Sequence, residues 1–220
     1  MAGFLSSSIG KKLIMSISGL FLIMFLLVHL TINLMLFWGA ETYNAAAGFM
    51  GSNVIMKILE PILALGFIIH IIYSLILYIK NRKARPIGYA AFNQKNSSTW
   101  SSRNMIWLGV AVFAFLVVHL INYFYKIKFT DLIESGEMEE YELVVNLFTI
   151  EYWYYVAIYV IGIITLGLHL NHAFQSAFQT LGLNNRYWEK RWKVIGTRYA
   201  LVVTVGFCVI PVYFLIQDII

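Results

Sequence analysis

The sequence predicts an all-α integral membrane protein, five transmembrane helices forming a single transmembrane domain over residues 1–220. Three observations predict it. Apolar side chains make up 60% of the chain and charged ones only 12%, with a mean hydropathy of +0.74, far from the composition of a soluble globular domain. Five apolar stretches reach the roughly 20 residues that a helix rising about 1.5 Å per residue needs to cross a bilayer. Lysine and arginine gather at the ends of alternate stretches.

The first stretch, Leu13–Trp38, follows Lys11 and Lys12 and precedes Ala45–Ala47. Its apolar run exceeds the roughly 7–15 residues of a signal-peptide core, so it reads as a retained helix. The others are Ile58–Ile79, Met105–Tyr125, Tyr152–Phe178 and Ile195–Gln217. Pro211 is expected to kink or end the fifth near its outer end. The connection after the second span, broken by Pro86 and Gly88, is basic and suits either lipid headgroups or a soluble partner. The connection TDLIESGEMEEYELVVNLF (130–148) is expected to form at most a short surface helix without chemistry.

Lys11 and Lys12, the group from Lys80 to Arg103, and the group from Arg186 to Arg198 fall on one side if five helices alternate; the other side has only Lys57, Lys126 and Lys128. The positive-inside rule then places the N-terminus in the cytoplasm and the C-terminus outside. The net charge of +5 is a topology signal satisfied by membrane lipid, and calls for no nucleic acid. Cys208 is the single cysteine, which excludes an internal disulfide, a thiolate-held iron–sulfur cluster and covalent haem attachment.

All five histidines, His29, His70, His119, His169 and His172, lie inside predicted spans. Ionisable groups in hydrocarbon are rare and mark functional sites; a lone one is explained as well by an interhelical hydrogen bond. Depth separates the two. His29 lies 17 residues past Lys12 and His119 lies 16 past Arg103, both on outward-running helices. His70 lies 10 residues before Lys80 and His169 lies 13 before Gly182, both on inward-running ones. The two pairs differ by roughly 8 Å in depth before tilt. Two histidine pairs at two levels are what two stacked haems with histidine on both faces require, so the first four spans form a haem-binding bundle whose irons carry electrons rather than bind oxygen. His172, one turn from His169, competes for the fourth position or serves as its polar neighbour. Gly66, Gly162 and Gly167 offer space near the ligands, or simply close helix packing.

SGLFLIMFLLVHL (18–30), the single histidine of the second span, FLVVHLIN (115–122) and HLNHAFQSAFQTLG (169–182) resemble the cytochrome b558 membrane anchor of succinate:quinone oxidoreductases (succinate dehydrogenase or fumarate reductase), of the single-chain, five-helix, di-haem kind. The resemblance covers essentially the whole chain. It implies two haem b groups, a distal one held by His29 and His119 and a proximal one by His70 and His169. In that family's last motif the ligand is the histidine thirteen residues before the glycine, so the resemblance implies His169 rather than His172 as ligand. It further implies a multi-pass protein of the bacterial cytoplasmic membrane, a flavoprotein subunit and an iron–sulfur subunit docked on the cytoplasmic face, and menaquinone as electron acceptor. This chain would be the electron-transferring membrane subunit of that enzyme, without its flavin. Trp38, Glu41, Tyr43, Glu60 and Tyr123 near the outer end are candidates to line a quinone pocket, and Arg82 and Arg103 to pair with haem propionates. Two other readings are a cytochrome b anchor of a different dehydrogenase or hydrogenase, and a haem-free proton-coupled transporter with histidines at graded depths.

Overall fold

The computed structural model describes residues 3, 7–84 and 100–220; the breaks expected at Pro86 and Gly88 lie outside them. Among the described residues every regular element is helical: α1 Ser8–Leu34, α2 Ala40–Ser52, α3 Val54–Lys83, α4 Trp100–Arg103, α5 Met105–His119, α6 Lys126–Phe129, α7 Glu140–Val145, α8 Trp153–Thr180 and α9 Glu189–Ile219. A 3₁₀ turn, Met35–Trp38, extends α1, and a π-helical segment, Leu120–Tyr125, joins α5 to α6. Five helices are long and apolar enough to cross a membrane: Ser8–Trp38, Val54–Lys83, Met105–Phe129, Trp153–Thr180 and Glu189–Ile219. Each outruns its apolar stretch because polar flanking residues continue the helix.

Local chemistry sets the boundaries. Ser7 caps α1 by accepting a bond from the Gly10 N–H at 2.9 Å, and Asn53 caps α3 by accepting from the Ile55 N–H at 2.9 Å, each satisfying a donor the helix start leaves unpaired. Gly39 turns the chain from the first span into α2 at φ 96°, a conformation natural only to glycine. Pro211 does not end the fifth helix. It sits fully buried inside α9, which continues to Ile219, as membrane helices permit when neighbours support the backbone.

Four helices form the bundle. α1 packs against α3 and α8, and α5 against α8, so three edges of a square are closed while α3 and α5 face each other across the fourth. α9 lies outside, along α8 and α1. It is tied to α1 by the Tyr199 hydroxyl, which donates to the Ile23 carbonyl at 2.7 Å. At its start Trp192 stacks on Phe178 of α8 at 3.9 Å and donates through Nε1 to the Leu183 carbonyl. With no hydrophobic drive between helices in lipid, close approach decides the packing. Here glycines supply it. Gly162 receives the ring of Phe115 from α5, Gly167 receives Thr204 from α9, and Gly66 receives Phe21 from α1. These three therefore serve helix contact and give no space beside the histidines.

Charge sorts by end. All of the eleven acidic residues except Glu189 lie at the end where α1 and α5 finish and α3 and α8 begin. That acidic end is closed by more than a surface loop: α7, opened by the reciprocal Glu139 and Glu142 capping box, buries Leu143 and Val144, and Phe148 follows. Asn44 of α2 joins it, donating to Glu139 and accepting from the Tyr141 N–H at 2.8 Å. Asp218 pins the Ile150 N–H at 2.7 Å.

Gly162→Ala should force the Phe115 ring aside and cost about 1–3 kcal/mol, read as a lowered thermal midpoint in detergent. Gly48→Ala, where an added methyl meets nothing within 4 Å, should leave the midpoint unchanged or slightly raised.

Candidate functional site

The square arrangement has two diagonals, α1 with α5 and α3 with α8. Neither diagonal pair packs as closely as the three edges; at the usual edge spacing of about 8–10 Å a diagonal is about 11–14 Å. Each is bridged by a pair of imidazoles. His29 of α1 and His119 of α5 have ring centroids 5.8 Å apart, and His70 of α3 and His169 of α8 have theirs 6.4 Å apart. Two rings sharing one metal, each with a metal–nitrogen bond of about 2 Å, stand about 6 Å apart centre to centre. The first pair lies toward the acidic end and the second toward the basic end. His172 is not in either pair among the described ring contacts. Three residues on from His169, it follows that ring on the same side of α8, one turn toward the basic end.

Around the basic-end pair the walls are backbone. A methyl on Gly19 of α1 would lie 3.4 Å from Cε1 of His70, and one on Gly109 of α5 would lie 3.8 Å from Cε1 of His169. These glycines, absent from the sequence reading, supply the space that Gly66, Gly162 and Gly167 do not. Nδ1 of His169 is buried without a hydrogen-bond partner among the described residues. Nδ1 of His70 lies 3.4 Å from the Ser18 hydroxyl. Such rings fit a large planar ligand gripped from both sides. No group of three or more His, Cys, Asp or Glu side chains that could hold a bare metal ion occurs among the described residues.

The acidic-end pair sits in an aromatic cluster. The π segment begins directly after His119, and its extra residue per turn keeps Asn122 and Tyr123 on the inward side with that histidine. Tyr123 stands edge-on to His119 at 5.2 Å, and Tyr159 lies 6.0 Å from Tyr123 and 6.1 Å from His119. Buried Asn122 donates to the Tyr159 hydroxyl at 3.2 Å. Phe25 stacks on His29 at 5.2 Å and Phe207 of α9 closes its far side. Asn33, one turn beyond His29, donates to the His29 carbonyl at 2.8 Å.

The five expected pocket residues do not converge. Trp38 and Glu41 are exposed. Glu60 is taken by Lys128 at 2.8 Å, an ion pair that spans the open edge between α3 and α6 beside a cleft lined by Lys57, Pro61, Ala64 and Phe124. Tyr43 and Tyr123 do share the acidic-end core with Tyr141 and Tyr159. Burial, with the charge of Glu140 behind it, pushes the Tyr43 phenol up to about 12, so it stays protonated at any physiological pH. Arg82 donates to the Tyr78 hydroxyl at 2.8 Å on its own helix.

Tyr159→Phe should leave the buried Asn122 amide without its acceptor, at a cost of about 1–3 kcal/mol, measured by thermal unfolding; Tyr213→Phe, a change at a less buried ring of α9, should be close to neutral.

No protein-family model, no curated protein and no solved structure matches this chain.

Proposed function

We propose that the chain is the di-haem cytochrome b membrane anchor of a succinate:quinone oxidoreductase, moving electrons across the bacterial cytoplasmic membrane. One observation carries the reading. Four helices each contribute one imidazole, and the four meet as two opposed pairs on the two diagonals of one bundle. His29 and His119 would hold the distal haem b and His70 and His169 the proximal one. Haem b in such a site supplies reversible one-electron carriage.

The rest of the chain does the surrounding work. With an imidazole from each side, His29, His119, His70 and His169 would suit the groups they hold to electron carriage rather than oxygen binding. The aromatic cluster and the cap of α2 and α7 keep bulk water off the His29 and His119 pair. Glu60, Glu189 and Asp218, all near helix ends, are the carboxylates of the five spans, so protons for quinone reduction come from the nearer aqueous side rather than along an acidic relay. The basic end, with Lys80, Arg82, Lys83, Arg186 and Lys190, faces the cytoplasm by the positive-inside rule and suits an iron–sulfur subunit carrying a flavoprotein. Menaquinone would take electrons near the acidic end. Histidines serving a proton path would stand at graded depths along one route; these face each other in twos.

The purified protein, expressed with haem available, should show reduced-minus-oxidised haem b absorption with about two haems per chain. His29→Ala or His119→Ala should remove one haem, His70→Ala or His169→Ala the other, and His172→Ala neither. A colourless preparation, or haem loss from His172→Ala with retention in His169→Ala, would overturn the assignment. Subunits identified by mass in the isolated complex test the succinate partner; a hydrogenase in their place would reassign the partner and leave the haems.

A further inference from the structure

We infer that Ser18 of α1 is the positioning residue for His70, its hydroxyl fixing the ring with the proton on Nδ1 so that Nε2 is left for the iron. The inference rests on the haem reading for its redox consequence, and on the geometry of α1 for the rest. Ser18 is buried, and its hydroxyl donates to the Met15 carbonyl at 3.0 Å. With its one proton so committed, the oxygen faces Nδ1 of His70, 3.4 Å away, as an acceptor. The only ring tautomer that satisfies an acceptor there carries hydrogen on Nδ1 and a free lone pair on Nε2. Gly19, the next residue, lets the Nδ1–Cε1 edge of the ring lie against the α1 backbone, where a larger side chain would push it off. The serine and the glycine thus form one seat on a helix that contributes no ligand to this pair.

The partner ring differs. Among the described residues Nδ1 of His169 has no hydrogen-bond partner, so the two rings of the proximal pair are unequally supported. An acceptor on the far nitrogen raises the basicity of a ligating imidazole, which favours the ferric state and lowers the reduction potential. Ser18 therefore acts on one haem and not on the other.

Two measurements on the full chain test this. In haem-free protein in micelles, ring-nitrogen NMR should find His70 protonated at Nδ1, and Ser18→Ala should shift the tautomer ratio about fivefold toward Nε2, the worth of one hydrogen bond. In the haem-loaded protein, redox titration of Ser18→Ala should raise the proximal potential by about 59 mV, a tenfold change in ferric-over-ferrous binding. The distal potential should stay put, and Ser18→Thr, which keeps a hydroxyl at the same helical position, should restore the original value. An unchanged tautomer ratio, equal shifts in both haems, or a Ser18→Thr variant indistinguishable from Ser18→Ala would overturn the inference. A wild-type chain that takes up no haem while the NMR response persists would instead sink the haem reading and leave the role of Ser18 standing.

Discussion

A polar ring on a helix embedded in hydrocarbon has to meet another polar group, because lipid offers it neither hydrogen bond nor charge. In this chain that requirement falls on four helices at once, and it is met by bringing the rings together across the middle of the bundle. Rings on diagonals hold the helices apart there, while glycines draw them together on the edges. The architecture is the balance of those two demands. Without the inward histidines, α1, α3, α5 and α8 would be ordinary apolar spans held by the edge contacts alone.

α8 carries most of the load. It touches α1, α5 and α9, buries Val156, Tyr159, Gly162, Ile163, Gly167, Leu170, Phe174 and Ala177, and carries His169. Burial at these positions follows a helical period, so one face of α8 is the spine of the molecule. α9 reinforces that spine from behind, which explains how a helix with no histidine and an interior proline still belongs to the fold. Its Thr204 lies against Gly167 and its Gly206 against Leu30 of α1.

Much of this was legible in the residues and part of it was not. The five spans follow from length and hydropathy alone, and the depths of His29 with His119 and of His70 with His169 follow from counting along straight helices of fixed rise. Both arguments use only distance along one helix. The features that escaped need knowledge of a neighbour. Gly162 and Gly167 read as candidates for ligand space until Phe115 and Thr204 are seen to fill them, whereas Gly19 and Gly109 gain their meaning only from rings on other helices. The π segment after His119 has no signature in LINYFY that hydropathy detects. The α7 cap is set by Leu143, Val144 and Phe148 closing over a core that the loop sequence does not reveal. Local propensity lets Pro211 kink or end its helix; tertiary support carries the helix through it to Ile219.

α3 holds no buried residue, in contrast to every other membrane-length helix among the described residues. It leans on α1 along one stripe and borders the open side of the square, latched there by the Lys128 and Glu60 pair. Of the four walls, it is the one whose displacement uncovers no buried side chain of its own, which places it at the low end of local stability.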